Sequence, residues 1–407
     1  MLLNGPTELS TGISRSSRPG PRIDLTGREI AGRIGFAFVP EPLPPTLDSA
    51  TLGDLLDPVS RATAQLHLLA GAIRVLPDPR ILLRVFMRRE VEHSSRIENT
   101  IASARELALF DAAQETDRDE VREVHRHFVA LQYGMNSTSP LCLRLIREMH
   151  AELMKGVRGE EKHAGEFRTG QVYIGNESAG FKGARFVPPP PGAVLEESLR
   201  DFELFLNPSD RRPRKRYDPI IELAMSHYQF ECIHPFADGN GRMGRLLITL
   251  TGQKSGWLEF PLPYISPYFE KTRQEYYDLL LRVSTHGDWP SWITYFCLAI
   301  ETECTDGMKR VRALDRLRTD YRDRAEAAGN SQNLPKLADH LFAQQAVTVA
   351  SVRQLLAVSQ PAAQMLIDRL VDAGILSEIT GGRYKRVYLA EAIVRLIETD
   401  HPEELNS

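Results

Sequence analysis

The strongest constraint on the fold is a helical rhythm and its one interruption. From residue 51 to about residue 306, apolar residues return at three and four positions in segment after segment. ILLRVFMRREVEHSSRIEN, LCLRLIREMHAELM, VLEESLRDFELFL, IIELAMSHYQFECI and YYDLLLRV all show it. That period is the stripe of an amphipathic α-helix, so the block predicts a helical bundle. Residues 165–191 break the rhythm: QVYIG and ARFV alternate on either side of a Gly- and Asn-bearing turn. Alternation bounded by turn formers predicts a β-hairpin standing out from the helices. The expected class is mainly α.

The flanks read differently. Residues 1–45 are rich in turn formers, and PEPLPP near position 42 holds the chain extended, because proline fixes φ and biases its predecessor away from helix. We expect an arm lying on the next domain. Residues 307–333 read as a charged helical linker closed by the polar break GNSQN. Residues 334–407 then give a helix, VASVRQLLAV, a short turn, SQPAAQMLIDRLVDAG, and two alternating strands, ILSEIT and RYKRVYLA, joined through GG. This is the order of a winged helix-turn-helix domain. The expected division is therefore 1–45, 46–306, 307–333 and 334–407.

A chain of 407 residues exceeds the usual single-domain size and has room for an enzyme plus an accessory module. Hydrophobic and charged contents of 42% and 26% argue against disordered and membrane classes. With 50 Lys and Arg against 54 Asp and Glu, the net charge of -4 supplies no global cationic field, so any binding of nucleic acid or anionic membrane must be local. Cys142, Cys232, Cys297 and Cys304 form no CxxC pair and lie in periodic apolar segments, so reduced core residues are expected. The first 22 residues contain no sustained apolar stretch, hence no secretory signal, and a cytoplasmic location is the default expectation.

The chemistry concentrates in HPFADGNGRMGR, residues 234–245, which follows one helical pattern and opens another. Asp238 is a hard oxygen ligand of the kind Mg2+ takes beside phosphate oxygens and water. Gly239, Asn240 and Gly241 can turn successive backbone N–H groups toward one point at a helix N-terminus, where the dipole favours anions. Arg242 and Arg245 are three apart on the new helix and so share a face that could clamp phosphates. His234 lies a few residues before this nest, and an unperturbed imidazole titrates near pH 6.5, suited to taking a hydroxyl proton. GNGRMG also satisfies the dinucleotide fingerprint GxGxxG, with Glu259 about 20 residues on. That fingerprint requires a strand immediately upstream, and the upstream segment has helical period. A purely structural loop-to-helix cap is the other alternative.

HPFADGNGRMGR resembles the Fic motif, HxFx[DE]GN[GK]RxxR, at every specified position, and the similarity extends from the first bundle helix to about residue 306. The resemblance implies a Fic helical bundle with a flap, and an adenylyltransferase moving AMP from ATP to a Ser, Thr or Tyr hydroxyl of a target protein. His234 would be the base, Asp238 the Mg2+ ligand, Gly239, Asn240 and Gly241 the anion hole, and Arg242 and Arg245 the clamp on the outer phosphates. Phe236 would anchor the loop. The hairpin would be the flap that aligns the target backbone by strand addition. Val172, Tyr173, Ile174 and Gly175 correspond to its first strand and a possible ATP contact. Tyr276 and Tyr277 correspond to a tyrosine pair lining the nucleotide pocket, with plain helix packing the alternative for each. Ser284 stands where relatives often carry Asn.

Ser94, Glu98 and Asn99 resemble the family's inhibitory pattern [ST]xxxE[GN], on a predicted helix over about residues 90–100. The resemblance implies that Glu98 pairs with Arg245 and brakes AMP transfer, including self-modification. In some relatives the same glutamate also supports removal of AMP. Relatives with this layout are often dimers, which makes a homodimer an expected assembly. For the C-terminal module, with Arg383, Lys385 and Arg386 on its wing, two readings stay open. It is either a dimerisation or target-docking module, or a DNA reader in a regulator whose Fic domain senses nucleotide.

Overall fold

A computed structural model describes residues 22–24, 36–113, 115–175, 183–208, 216–381 and 385–400. The chain falls into two compact units, Met1–Leu66 with Val129–Glu301, and His67–Phe128 with Thr302–Ser407. These units cut across the segments expected from sequence. Residues 79–113 belong with the C-terminal residues, and the stretch 307–327 continues a helix that begins at Trp289.

In the first unit the arm comes first. β1 (Arg22–Asp24) pairs antiparallel with β2 (Phe36–Phe38). The amide of Phe38 donates to the Val187 carbonyl at 2.9 Å, and Ala37 packs with Ala184 and Val187 against Tyr173. The Tyr217 hydroxyl donates to the Pro45 carbonyl at 2.9 Å and accepts the Leu47 amide at 3.0 Å. The Pro45 carbonyl and the Leu47 amide, beside the prolines, thus find a side-chain partner in Tyr217.

The helices follow: α1 (Ser49–Arg74), α2 (Pro79–Ile97), α3 (Ala104–Ala113), α4 (Asp119–Asn136) and α5 (Leu143–Met154). Of these, α1 begins and α4 ends in the first unit, and α5 lies wholly within it. The expected hairpin is present as β3 (Ile174–Gly175) and β4 (Ala184–Phe186), antiparallel with Ile174 opposite Phe186, and its tip lies outside the described residues. Next come α6 (Ala193–Leu206), α7 (Pro219–Ile233), α8 (Asn240–Lys254), α9 (Ser266–Lys271), α10 (Arg273–His286) and α11 (Trp289–Ala327).

The centre of this unit is α7, buried from Ile220 to Ile233 at every position but Glu231. Its apolar residues run round every side, with Glu222, His227 and Gln229 buried among them, so the helix has to be enclosed, and α6 and α8 pack against it. Asp218 caps its start by accepting the Ile220 amide, and Pro219 fills the first turn, where its missing N–H costs nothing. In α4, an added Cβ at Gly134 would meet Leu250 Cδ1 at 2.6 Å, so glycine is what lets that helix approach α8.

In the second unit, α2 packs against α12 (Asn333–Ala343) and against α15 (Glu391–Glu398). Between those two helices come β5 (Ala346–Thr348), α13 (Val349–Leu356), α14 (Gln360–Asp372), β6 (Ser377–Glu378) and β7 (Val387–Leu389). The strands form one antiparallel sheet in the order β5-β7-β6. Thr348 and Ser351 form a reciprocal capping box on α13, and Ser359 caps α14, so both helix starts follow directly from local sequence. Arg310 donates to the Leu396 and Thr399 carbonyls, both at 2.6 Å, satisfying groups that the end of α15 leaves open. Arg383 of the expected wing lies outside the described residues. Cys232, Cys297 and Cys304 are buried free thiols as expected, whereas Cys142 is half-buried just before α5. Among the described residues no helix is long and apolar enough to cross a membrane.

Candidate active site

His234 terminates α7 in the left-handed region, φ 49°, with its amide on the Phe230 carbonyl at 3.0 Å. Its Nδ1 lies 3.2 Å from the Glu231 carbonyl. A carbonyl only accepts, so Nδ1 carries the proton and the basic lone pair is on Nε2. The turn that ends α7 therefore also selects this tautomer.

The chain returns into α8 through residues 235–239, and three residues fix that path. Asn240 uses its whole side-chain amide on one neighbour: Oδ1 accepts the Phe236 amide at 2.8 Å and Nδ2 donates to the Phe236 carbonyl at 2.9 Å. Truncating it would leave two buried backbone groups unsatisfied, at about 1–3 kcal/mol each. Phe236 is fully buried and stacks on His150, with ring centroids 3.7 Å apart and planes 3° apart. His150 accepts the Gly165 amide on Nδ1 at 2.9 Å, and Nε2 donates to the Asp238 carbonyl at 3.0 Å. Gly239 then takes φ 74° directly beneath His150 and Met154, where a side chain would be both strained and crowded.

Asp238 accepts its neighbour Gly239's amide on Oδ1 at 2.7 Å, and Oδ2 holds the Lys162 ammonium at 3.0 Å. Burial pushes its carboxyl up, but the hydrogen bond and charge of Lys162, with Gly239 N–H and Arg242, outweigh that and hold it below the usual range. It is ionised at neutral pH. The start of α8 has no side-chain cap hydrogen bond, and its first turn carries Asn240 and Gly241, a helix end whose amides and dipole favour an anion. Arg242 is buried with Nη2 4.0 Å from Asp238 Oδ1. Arg245, one turn on, is 1% exposed, and its charge reaches His227.

Sequence reasoning missed Arg168, Lys162 and His150. Arg168 is 5% exposed and donates to the His234 carbonyl at 2.8 Å. None of the three carries a motif signal, because each meets the 234–245 loop only through the fold. Burial pushes His150 down to about 4, and it pushes His227, with Arg245 adding to the effect, down to about 3, both from 6.5. The unfolded chain binds protons that the folded chain refuses, so stability is complete above about pH 6.5 and drains as pH falls toward those values. The loss reaches about 1.4 kcal/mol per pH unit for each histidine. Urea midpoints should drop between about pH 7 and about pH 5. An unchanged midpoint would contradict this placement.

The flap residues divide. Val172, Tyr173 and Ile174 are half-buried and Gly175 is exposed, with φ 136° and a register irregularity beside it. On α10, Tyr277 is half-buried, and the neighbouring Asp278 ion-pairs with Arg185 of β4. Tyr276 departs from the expected pocket lining. It is 1% exposed, its hydroxyl donates to His227 Nε2 at 2.8 Å, and it packs among Phe269, Trp292 and Tyr277, so the helix-packing alternative describes it. Ser284 is likewise buried, on the Tyr228 hydroxyl at 2.8 Å. The GxGxxG alternative fails because the segment before the glycines is α7, a helix rather than a strand.

In the second unit, Ser94 is buried in α2, whereas Glu98 and Asn99 are exposed in the turn that ends it. Asn99 has φ 63°, and the Thr100 amide returns to the Ser95 carbonyl at 3.0 Å, a C-terminal turn that favours Gly or Asn.

Residues 140–251 match the model of the Fic/DOC family, and residues 56–136 match its Fic/DOC family N-terminal model. The chain is 33% identical over 215 residues to protein adenylyltransferase fic-1 of Caenorhabditis briggsae, covering 50% of this chain and 38% of that one. It is 30% identical over 227 residues to protein adenylyltransferase Fic of Aedes aegypti, covering 54% and 40%. The chain thus spans less than half the length of these curated relatives. A Fic family protein from Desulfovibrio desulfuricans superposes with TM-score 0.53 at 20% identity, over 86% of this chain and 98% of that one, which shows the fold. Fic-1 of Caenorhabditis elegans superposes with TM-score 0.50 at 25% identity, over 65% and 76%. The loop that carries His234 through Arg245 is therefore the motif of a known domain, and residues 56–136 and 140–251 of this chain belong to the Fic/DOC family.

Proposed function

We propose that this chain is a protein adenylyltransferase, moving AMP from ATP to a Ser, Thr or Tyr hydroxyl of a target protein. The observation that carries the reading is the His234 tautomer: Nδ1 donates to the Glu231 carbonyl, so the basic lone pair is on Nε2, in the loop that leads into a helix start without a side-chain cap. Nε2 takes the hydroxyl proton as the oxygen attacks the α-phosphorus. The new O–P bond forms while the bond to the β-phosphate breaks, and pyrophosphate leaves with the electron pair. The α8 amides with Arg242 and Arg245 bind and orient the phosphates, so the chain acts by positioning and charge stabilisation. Relatives that carry the name protein adenylyltransferase support the same reading.

Asp238 fits a Mg2+ ion. It is a single ionised carboxylate whose outward oxygen already takes a cationic partner, Lys162. No cluster of three or more potential metal ligands occurs among the described residues. That donor set suits an ion that draws most of its ligands from phosphates and water. Mg2+ bound there would neutralise phosphate charge and help pyrophosphate leave.

Glu98, with Ser94 and Asn99, is proposed as a brake on this reaction. Glu98→Gly should raise self-labelling by AMP about tenfold or more, since a blocked triphosphate pose taxes every turnover by its population. Incubation with labelled ATP and Mg2+, comparing wild type, His234→Ala and Glu98→Gly, tests both proposals. Equal labelling by wild type and Glu98→Gly would remove the brake, and undiminished labelling by His234→Ala would remove the base. The helices α12 to α14 with the β5-β7-β6 sheet are read as a winged helix that docks protein. The exposed side chains of α14 include Gln360, Met365, Asp368 and Asp372, a poor match to DNA phosphates.

A further inference from the structure

We propose that Arg168 is the positioning residue that ties the catalytic histidine to the flap, so that base and target strand are set by one guanidinium. Its Nε donates to the His234 carbonyl at 2.8 Å and Nη2 reaches the Ile233 carbonyl at 3.3 Å, on the turn that aims the imidazole. The same group holds both roots of the hairpin: Nη1 donates to the Gly170 carbonyl at 3.2 Å, before β3, and Nη2 to the Pro189 carbonyl at 2.6 Å, after β4. Its own amide adds a bond to the Pro235 carbonyl at 2.9 Å.

Physical chemistry explains the choice of residue. The roots and the turn present carbonyls, acceptors that burial would leave unpaired, and two of them precede or belong to proline-rich chain that offers few amides in return. Arginine supplies five N–H donors in a rigid planar fork and no acceptor, so one side chain can satisfy carbonyls from three segments at fixed mutual angles. Lysine could not hold that fork. Burial pushes the guanidinium down to about 10, which still leaves it charged at neutral pH, and charged donors make the stronger hydrogen bonds. Gln171 supplies a contrast, because its Nε2 donates to the Pro188 carbonyl at 3.0 Å and the Val172 carbonyl at 3.1 Å and so braces the flap alone.

The consequence for transfer rests on the adenylyltransferase reading. The target hydroxyl, held on the flap, must meet Nε2 of His234, and misplacement by about 1 Å costs on the order of 100-fold in rate. Water needs no flap, so hydrolysis of ATP to AMP should suffer less.

Hydrogen exchange on the full chain tests the tie without reference to activity. In Arg168→Lys, amides of residues 169–172 and of 233, 234 and 236 should both exchange faster, whereas in Gln171→Leu only 169–172 should. In the wild type, exchange in low denaturant should open both segments in one step. Separate opening in the wild type, loosening of one segment alone in Arg168→Lys, or loosening of 233–236 in Gln171→Leu would overturn the proposal. Under the adenylyltransferase reading, Arg168→Lys should also lose self-labelling about 100-fold with a smaller loss of ATP hydrolysis. An equal loss of both would mean general damage to the site rather than misalignment. A wild type that transfers no AMP would sink the activity, and the exchange result would still decide the tie.

Discussion

His234→Ala should lower self-labelling by AMP about 1,000-fold, the range lost when a positioned general base is removed. Nucleotide affinity should change little, because in the proposed reaction α8 and its arginines, rather than His234, would hold the triphosphate. The turn adds a complication, since φ 49° disfavours alanine and the variant pays strain as well as chemistry. His234→Asn separates the two: asparagine tolerates this region but has no basic nitrogen. Both variants should be equally inactive, while His234→Asn keeps more of the wild-type unfolding midpoint. An active His234→Asn would mean that the imidazole is not the base.

Asp238→Ala should cost on the order of 100-fold in rate and abolish the dependence of rate on Mg2+ concentration. In the proposed reaction Asp238 is the carboxylate that would hold the ion, and among the described residues no group of three or more potential ligands stands in for it. The substitution also leaves Lys162 facing the site without its 3.0 Å partner, which adds positive charge where phosphate binds. Nucleotide without metal should therefore bind at least as well to Asp238→Ala as to wild type, a sign opposite to that expected if Asp238 only supported the loop. Titration of initial rate against Mg2+, with nucleotide binding measured in its absence, separates these outcomes.

The sequence made legible whatever was contiguous or periodic. HPFADGNGRMGR displays an imidazole, a carboxylate, paired glycines and two arginines within one short run. The structure keeps that order, with His234 closing α7 and Asn240 opening α8. The hairpin was legible because alternation interrupts a helical period. What stayed hidden was contact across long separations: Arg168 reaches His234 over 66 residues, Lys162 reaches Asp238 over 76, and His150 reaches it over 88. No local pattern marks such pairs. Period alone also could not separate a pocket aromatic from a core aromatic, so Tyr276 and Tyr277 read alike although only Tyr276 is fully buried on His227. The linker read from charge at 307–333 proved in large part the second half of α11. Neither Gly307 nor a change from apolar to charged composition is enough to stop a helix.

AMP transfer and phosphate transfer differ in which phosphorus is attacked. ATP labelled at the α-phosphate and, in parallel, at the γ-phosphate should be given to Glu98→Gly with Mg2+, and label on the protein counted. AMP transfer predicts that α-label stays on the chain and γ-label leaves entirely in pyrophosphate, with neither retained by His234→Asn. Retention of the γ-label would show phosphate transfer and contradict the proposed role of the 234–245 loop.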